Sequence, residues 1–336
     1  YLLLNERVQI TLKDKTTDEF VKAVLEANTF DELGNEYQER KAALGTTAYV
    51  VQVTDGIADE EGNLTGGDIV INYVEADQIF PTSWQNNRVI ECIFTFRKTY
   101  KRKKYVLFQY HKLEEIPNGD GARQYVIENS VVEDTTGSGR ELTREQWNEI
   151  PQFAGLPERW ETGSDQPCFI IDKLNIVNNI DNDNTNPLGV SVFANAIDIL
   201  QKIDLEYDSY ANEFSLGRKR IFVAPEFLTS VDGNPVFDPD DTVFYELPEN
   251  FFKDSKEALR EVNMELRIEE HSKAINDDLN FLSVKCGFGT ERYKFDGGDI
   301  QTATEVISDN SDMYRTLQKH ELVLDRVLKD LIRAII

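Results

Sequence analysis

Little in this sequence can do chemistry unaided. Cysteine occurs three times in 336 residues, and Cys92, Cys168 and Cys286 lie far apart. An odd, scattered count argues against a disulfide framework and fits a reducing compartment. Histidine also occurs three times, as His111, His271 and His320, with no pair four apart on a helix and no Cys-x-x-Cys elsewhere. No zinc site is expected from that set. No apolar run reaches the roughly 18 residues that a membrane span needs. No Gly-x-x-x-x-Gly-Lys-Ser/Thr loop is present, so no P-loop cradle for phosphate is expected. Positive charge is scarce too. Thirty-six Lys and Arg stand against 61 Asp and Glu, a net charge of −25. Gripping DNA over a broad surface needs cations against phosphates, and this chain is short of them. It can still line a passage to which DNA must not stick. No signal peptide is visible. The chain opens at Tyr1 and stops at Ile336 inside an apolar helical pattern, so both ends read as trimmed.

The partial motifs are weak. Gly287-Phe-Gly289 carries two glycines of a dinucleotide fingerprint but follows a helix rather than a strand. Ser308-Asp-Asn310 lacks the Ser-x-x-Lys and Lys-Thr-Gly partners of a β-lactamase. Asp181-Asn-Asp183-Asn-Thr-Asn186 begins like a calcium loop, but Asn186 replaces the glycine and Val192 the closing glutamate. A solvated linker is the better reading. Lys101-Arg-Lys-Lys104 lies between two aromatic-rich strands and reads first as a solvated hairpin tip or edge protection, with direct DNA contact as the sharper option. No catalytic residue, cofactor or metal is expected.

What is present divides into a strand-rich first half and a helix-dominated second half, an α+β class. Residues 18–44 read as one helix stopped by Gly45. Strands are expected at 48–53, 68–74, 89–100, 104–111 and 125–132, with a loop at 134–140 and a short helix near 143–150. After the Asn/Asp-rich segment 178–186 the period changes. Phe193, Ile197, Leu200, Ile203, Tyr207, Tyr210 and Phe214 recur at spacings of three and four, predicting a helix over 192–216 with Gly217 as its cap. An excursion follows, with strands at 220–224 and 243–247. A second helix is expected from Asp254, where Asp254 and Glu257 resemble a capping box, and it ends at Gly287 and Gly289. The glycine-rich stretch 287–299 reads as a mobile loop. A third helix starts at Thr302.

The simplest packing of the first two helices is antiparallel, with the excursion at the far end. Ile199 and Leu205 fall off the main stripe, which suggests that neighbouring subunits complete the core. Asp198, Asp204, Glu206, Asp208 and Glu213 on the first helix face the single Lys202, and 295–314 carries Asp296, Asp299, Glu305, Asp309 and Asp312 with no basic residue. The plain reading is a solvated face; the sharper one is a low-friction wall facing a polyanion.

Three segments carry a resemblance. They are Asn186-Pro-Leu-Gly-Val-Ser-Val-Phe-Ala-Asn-Ala-Ile-Asp198 running on to Glu213-Phe-Ser-Leu-Gly-Arg-Lys-Arg-Ile-Phe-Val223, then Leu279-Asn-Phe-Leu-Ser283 with Cys286-Gly-Phe-Gly289, then Gln301-Thr-Ala-Thr-Glu-Val-Ile307. In order and wording they resemble portal proteins of tailed phages and prophages of Gram-positive bacteria, often labelled minor capsid proteins. The resemblance implies a strand-rich wing (1–185), a first stem helix (186–217), a β-containing clip (218–253), a second stem helix (254–285), a tunnel loop (286–301) and a long channel-facing helix (302–336), with the crown absent. It implies a non-enzymatic subunit of a ring, twelve copies in the virion, through which double-stranded DNA passes without sequence specificity. Implied partners are further copies of the chain, the terminase large subunit, a head-completion adaptor, and the scaffold and major capsid proteins, with no membrane. Assembly would take place in the host bacterial cytoplasm, and the product would sit at a capsid vertex. The implied channel residues are Gly287, Gly289, Gly297, Gly298, Asp296, Asp299, Asp309 and Asp312. The implied docking residues of the clip are Arg218, Lys219, Arg220, Asp238, Asp240 and Asp241. Another virion connector or minor capsid protein is the competing expectation, and a hydrolase with an unrecognised carboxylate site is a weaker one.

Overall fold

The computed structural model describes residues 10–54, 57–58, 64–117, 121–135, 138–179, 186–217, 220–223, 244–246, 259–262, 265–290, 292–293 and 303–336. The chain divides into two compact units, residues 1–194 with 315–336, and residues 195–314.

The first unit opens with α1 (Lys15–Ala27) and α2 (Phe30–Leu44). Asp14 caps α1 by accepting from the Thr17 amide at 2.8 Å. The single helix expected over 18–44 is broken at Asn28–Thr29. Thr29 sits in the left-handed region at φ 46°. Asn28 holds the break by donating to the carbonyls of Val24 and Ile69, and by accepting from the Ile71 amide, each at 2.8 Å. An asparagine that satisfies a neighbouring strand's backbone overrides the apolar stripe that runs through it.

The strands β1 (Thr46–Thr54), β2 (Ile57–Ala58), β3 (Leu64–Thr65) and β4 (Asp68–Glu75) follow. A 3₁₀ turn, Ala76–Gln78, leads to β5 (Ile79–Gln85), β6 (Arg88–Tyr100), β7 (Lys103–Glu115), β8 (Arg123–Thr135) and β9 (Ser138–Glu141). After α3 (Arg144–Asn148) come β10 (Arg159–Glu161) and β11 (Phe169–Lys173). The small sheet has the order β11-β1-β4, and the large sheet has the order β10-β8-β7-β6-β5 with β9 against β8. The pairings in both are antiparallel. The loop expected at 134–140 is therefore a hairpin closing onto β9.

Period two explains how β1 serves two cores. Tyr49 and Val51 point to α1 and α2, where Val21, Phe30, Ile71 and Ile170 join Val327, Leu331 and Ile335 of the last helix. Ala48 and Val50 point the other way, to Val89, Cys92, Phe94 and Phe169. A third cluster beyond the large sheet gathers Tyr105, Leu107, Val131, Trp147 and Phe153. The basic run resolves into a two-residue turn, with Lys101 and Arg102 both at positive φ as the twist of a tight hairpin requires. Lys103 beside it pairs with Glu133 at 2.6 Å.

His111 is wholly buried between Phe94 and Phe169, each ring centroid 5.4 Å away. Burial alone drives its imidazole down to about 3, so it folds neutral. A base depressed in this way stabilises fully above its ordinary value of 6.5 and loses that contribution as pH falls toward about 3. The urea midpoint of the wild type should therefore decline below pH 6.5. In His111→Phe the decline should be shallower, leaving the share of His320, which burial also holds below its ordinary value, and of the carboxylates. A variant with the same pH profile as wild type would show that His111 is not the group responsible.

Candidate functional site

The second unit is built on two helices. A 3₁₀ turn, Ala194–Ala196, leads into α4 (Ile197–Leu216), and α5 runs over Ile268–Lys285. Between them lie β12 (Arg220–Val223), β13 (Phe244–Glu246) and β14 (Leu259–Val262). The helix expected from Asp254 thus begins at Ile268, and residues 259–262 are a strand instead. β12 pairs antiparallel with β14 and parallel with β13, so the first two strands do not form a simple hairpin. The last helix, α6 (Ala303–Ile335), gives its residues from 315 onward to the first unit. Its expected start, Thr302, lies outside the described residues.

Ion pairs fix the register of α4 on α5. Lys285 meets Asp198 at 3.2 Å, Lys202 meets Asp278 at 2.7 Å, and Arg267 meets Glu213 at 2.9 Å. Rising numbers on one helix meet falling numbers on the other, so the pair is antiparallel. β12 leaves the end of α4 and β14 precedes the start of α5, so their antiparallel ladder closes that end of the pair. Gly217 makes this closure possible. A side chain there would come within 2.3 Å of Leu266 and 2.6 Å of the Glu213 carbonyl.

The seam is also electrostatically tuned. The hydrogen bonds from the Arg267 side chain and amide hold the Glu213 carboxyl down to about 2. Its stabilising effect is complete above its ordinary value of 4.5 and disappears as pH falls toward about 2. Burial, and then the Asp278 carboxylate beside it, lift Glu206 above its ordinary value. Three of the five acids expected on a solvated face of the first helix, Asp198, Glu206 and Glu213, are therefore engaged within the subunit by Lys285, Lys202 and Arg267. Sequence reasoning saw Lys202 but missed Arg267 and Lys285, because they lie at the N-cap and in the last turn of α5, more than fifty residues away from the acids they meet.

α5 ends in a Schellman motif. The Phe288 amide reaches back to the Ser283 carbonyl and the Gly287 amide to that of Val284, with Gly287 at φ 78°. Gly287, expected to end the helix and to open the glycine-rich stretch after it, caps α5, and Gly289 follows it at φ 85°. Replacing Gly287 by alanine should cost about 1–2 kcal/mol through the left-handed penalty. It should also raise amide exchange over the last turn of α5. Unchanged exchange at Lys285 and Cys286 would sink that account.

The other expected site residues are placed as follows. Arg220 opens β12. Asp312 is exposed on α6, and Asp309 lies on the same helix. Asp296, Gly297, Gly298, Asp299, Arg218, Lys219, Asp238, Asp240 and Asp241 lie outside the described residues. Among the described residues no cluster of three His, Cys, Asp or Glu could hold a metal, and no helix is long and apolar enough to cross a membrane.

The described architecture is mixed α and β, with mainly antiparallel sheets and an ion-paired helix hairpin closed by a small β unit. The family model described as phage portal protein, SPP1 Gp6-like, matches residues 1–336, and the chain belongs to that family. A comparison with curated proteins found no match. The protein is a portal subunit, a structural component of the phage capsid that serves DNA packaging. Membership implies a ring oligomer working with capsid and terminase, and a place at the capsid vertex. The family is structural rather than enzymatic. Nothing favours the alternative of another connector or minor capsid protein.

Proposed function

We propose that the α4–α5 pair is the stem of the portal ring and that β12, β13 and β14 belong to its clip. On this reading residues 1–185 form the wing, and α6 with the segment before it faces the channel. The clip residues Arg218, Lys219, Arg220, Asp238, Asp240 and Asp241 then meet the terminase large subunit and later a head-completion adaptor. The subunit assembles in the host cytoplasm with scaffold and major capsid proteins. DNA slides past the acids Asp296, Asp299, Asp309 and Asp312 without sequence readout, since like charge keeps barriers to movement low.

One observation carries this reading. The antiparallel helix pair leaves large apolar side chains uncovered on both members. Leu205 is 67% exposed, Leu216 61% and Phe281 49%. Side chains of that size on an ion-paired hairpin fit burial against neighbouring copies. Electron microscopy of the purified protein, with sedimentation in parallel, tests the idea. Rings are expected for wild type and isolated subunits for Leu205→Asp, whose exposed position leaves the fold intact. Rings that persist in Leu205→Asp would remove α4 from the interface.

The acidic wall has its own test. Asp309→Lys with Asp312→Lys should slow packaging in a complementation assay without unfolding the subunit, as its melting curve would show. Packaging at the wild-type rate would end the repulsive-wall account.

A further inference from the structure

A cavity of about 350 Å³ opens in the first unit, lined by the β5–β6 turn, β11 with the residues after it, and the last turns of α6. Its charge runs against the rest of the molecule. In a chain of net charge −25, this cavity gathers Arg88, Lys173, Arg326 and Arg333 around one acid, Asp330. That acid is already taken, since Arg333 meets it at 2.6 Å. Among the described residues no carboxylate pairs with Arg88, Lys173 or Arg326.

Lys173 is the unusual member. Its ammonium group is half-buried and is held by the backbone carbonyls of Asn87 and Pro187. Those two bonds use two of its three N–H groups, leaving one to donate. Burial pulls its pKa below the ordinary value, and the nearby Arg326 pulls in the same direction. Two cations set together without a counter-ion cost free energy that a bound anion would return. Arg88 and Arg326 are exposed, and each offers a planar fork of donors that suits an oxyanion. The lining also holds apolar side chains, Phe169 and Val327 among them.

We propose that this cavity binds a small phosphorylated molecule, with its phosphate held by Lys173, Arg326 and Arg88 and its organic body against the apolar wall. Three unpaired cations favour a dianion over a single carboxylate. The volume lies at the lower end of the roughly 300–1,000 Å³ range of ligand pockets, which suits a sugar phosphate or mononucleotide better than a longer chain. The site is independent of the stem and clip reading, because every residue in it belongs to the first unit.

The test uses the full chain and calorimetric titration with inorganic phosphate, then with ribose 5-phosphate, against chloride at equal ionic strength. Phosphate should bind wild type and raise its melting temperature beyond the chloride control. Arg326→Gln should weaken binding by about ten- to a hundredfold while melting normally in chloride, since Arg326 is exposed. Arg88→Gln, also exposed, provides a second variant if the first folds poorly. Ribose 5-phosphate should bind more tightly than phosphate; equal affinity would overturn the role given to the apolar wall. Equal phosphate effects in wild type and both variants would reveal a general salt effect and overturn the proposal. So would an absence of phosphate binding with Arg326→Gln instead weakening self-association, because the cations would then be meeting an acidic side chain of a second copy.

Discussion

Asp172→Ala should destabilise the first unit by about 3–5 kcal/mol, the range for removing one partner of a buried ion pair. Lys41 on α2 reaches both carboxylate oxygens of Asp172 on β11, at 2.9 and 3.0 Å. Their side chains are 6% and 0% exposed. Gln38, one turn earlier on α2, donates to the same carboxylate at 2.6 Å and to the Tyr49 hydroxyl on β1 at 3.1 Å. One acid therefore ties a helix to two strands of the small sheet. Burial, and then the Asp172 carboxylate, push Tyr49 well above its ordinary value, so its hydroxyl keeps its proton. Without Asp172 the ammonium of Lys41 would be buried with nothing to neutralise it. Urea unfolding would measure the loss. A loss under about 1 kcal/mol would mean that water or another group replaces the carboxylate. The double variant Lys41→Met with Asp172→Leu should recover most of the stability, because the penalty lies in the orphaned charge rather than in the missing pair.

That ion pair also marks where sequence reasoning stops. Strands β6, β7 and β8 were legible because long runs of Phe, Tyr, Val and Ile alternate with polar residues between turn signals. The helix of α4 was legible from a stripe that runs from Ile197 to Phe214. Lys41 and Asp172 were not legible, since a lysine on a helix and an aspartate on a strand look solvated until the fold brings them together. The same holds for Lys285 and Asp198 on the α4–α5 seam. The misread start of α5 has a local cause. Leu259, Val262 and Leu266 fall at helical spacings, yet pairing with β12 makes residues 259–262 a strand, an instance of tertiary context overriding local pattern. The break at Thr29 was hidden because its signal, Asn28, works through Ile69 and Ile71, some forty residues away. At the candidate site the sequence marked Gly287 as a stop but gave no sign that its carbonyl partners make a cap. It did show enough wording between 186 and 307 to reach the family.

Gly45→Val should be at least as damaging as an ordinary overpacked core substitution, at about 3 kcal/mol or more from steric and backbone costs together. Gly45 ends α2 at φ 86°, a conformation that β-branched residues avoid. A Cβ there would stand 2.4 Å from the Val190 carbonyl carbon and 2.6 Å from its Cα, where only backbone can yield. The contact is reciprocal, because a Cβ on Gly189 would meet the Gly45 oxygen at 2.5 Å. The backbone cannot easily withdraw. The Leu174 amide donates to the Gly45 carbonyl at 3.1 Å, the Gly189 amide to the Thr46 hydroxyl at 2.7 Å, and the Val192 amide to Ala42 at 3.1 Å. These bonds dock the segment that leads into α4 onto the end of α2 and the start of β1. Gly155→Val separates the two costs. Gly155 has a similar φ of 82°, yet a Cβ there meets nothing within 4 Å, so only the left-handed penalty of about 1–2 kcal/mol applies. Hydrogen exchange should show the Gly189 and Val192 amides losing protection in Gly45→Val alone. Equal losses of stability in the two variants would mean that the close approach of residues 45 and 189 contributes nothing, and that the segment before α4 is held by some other contact.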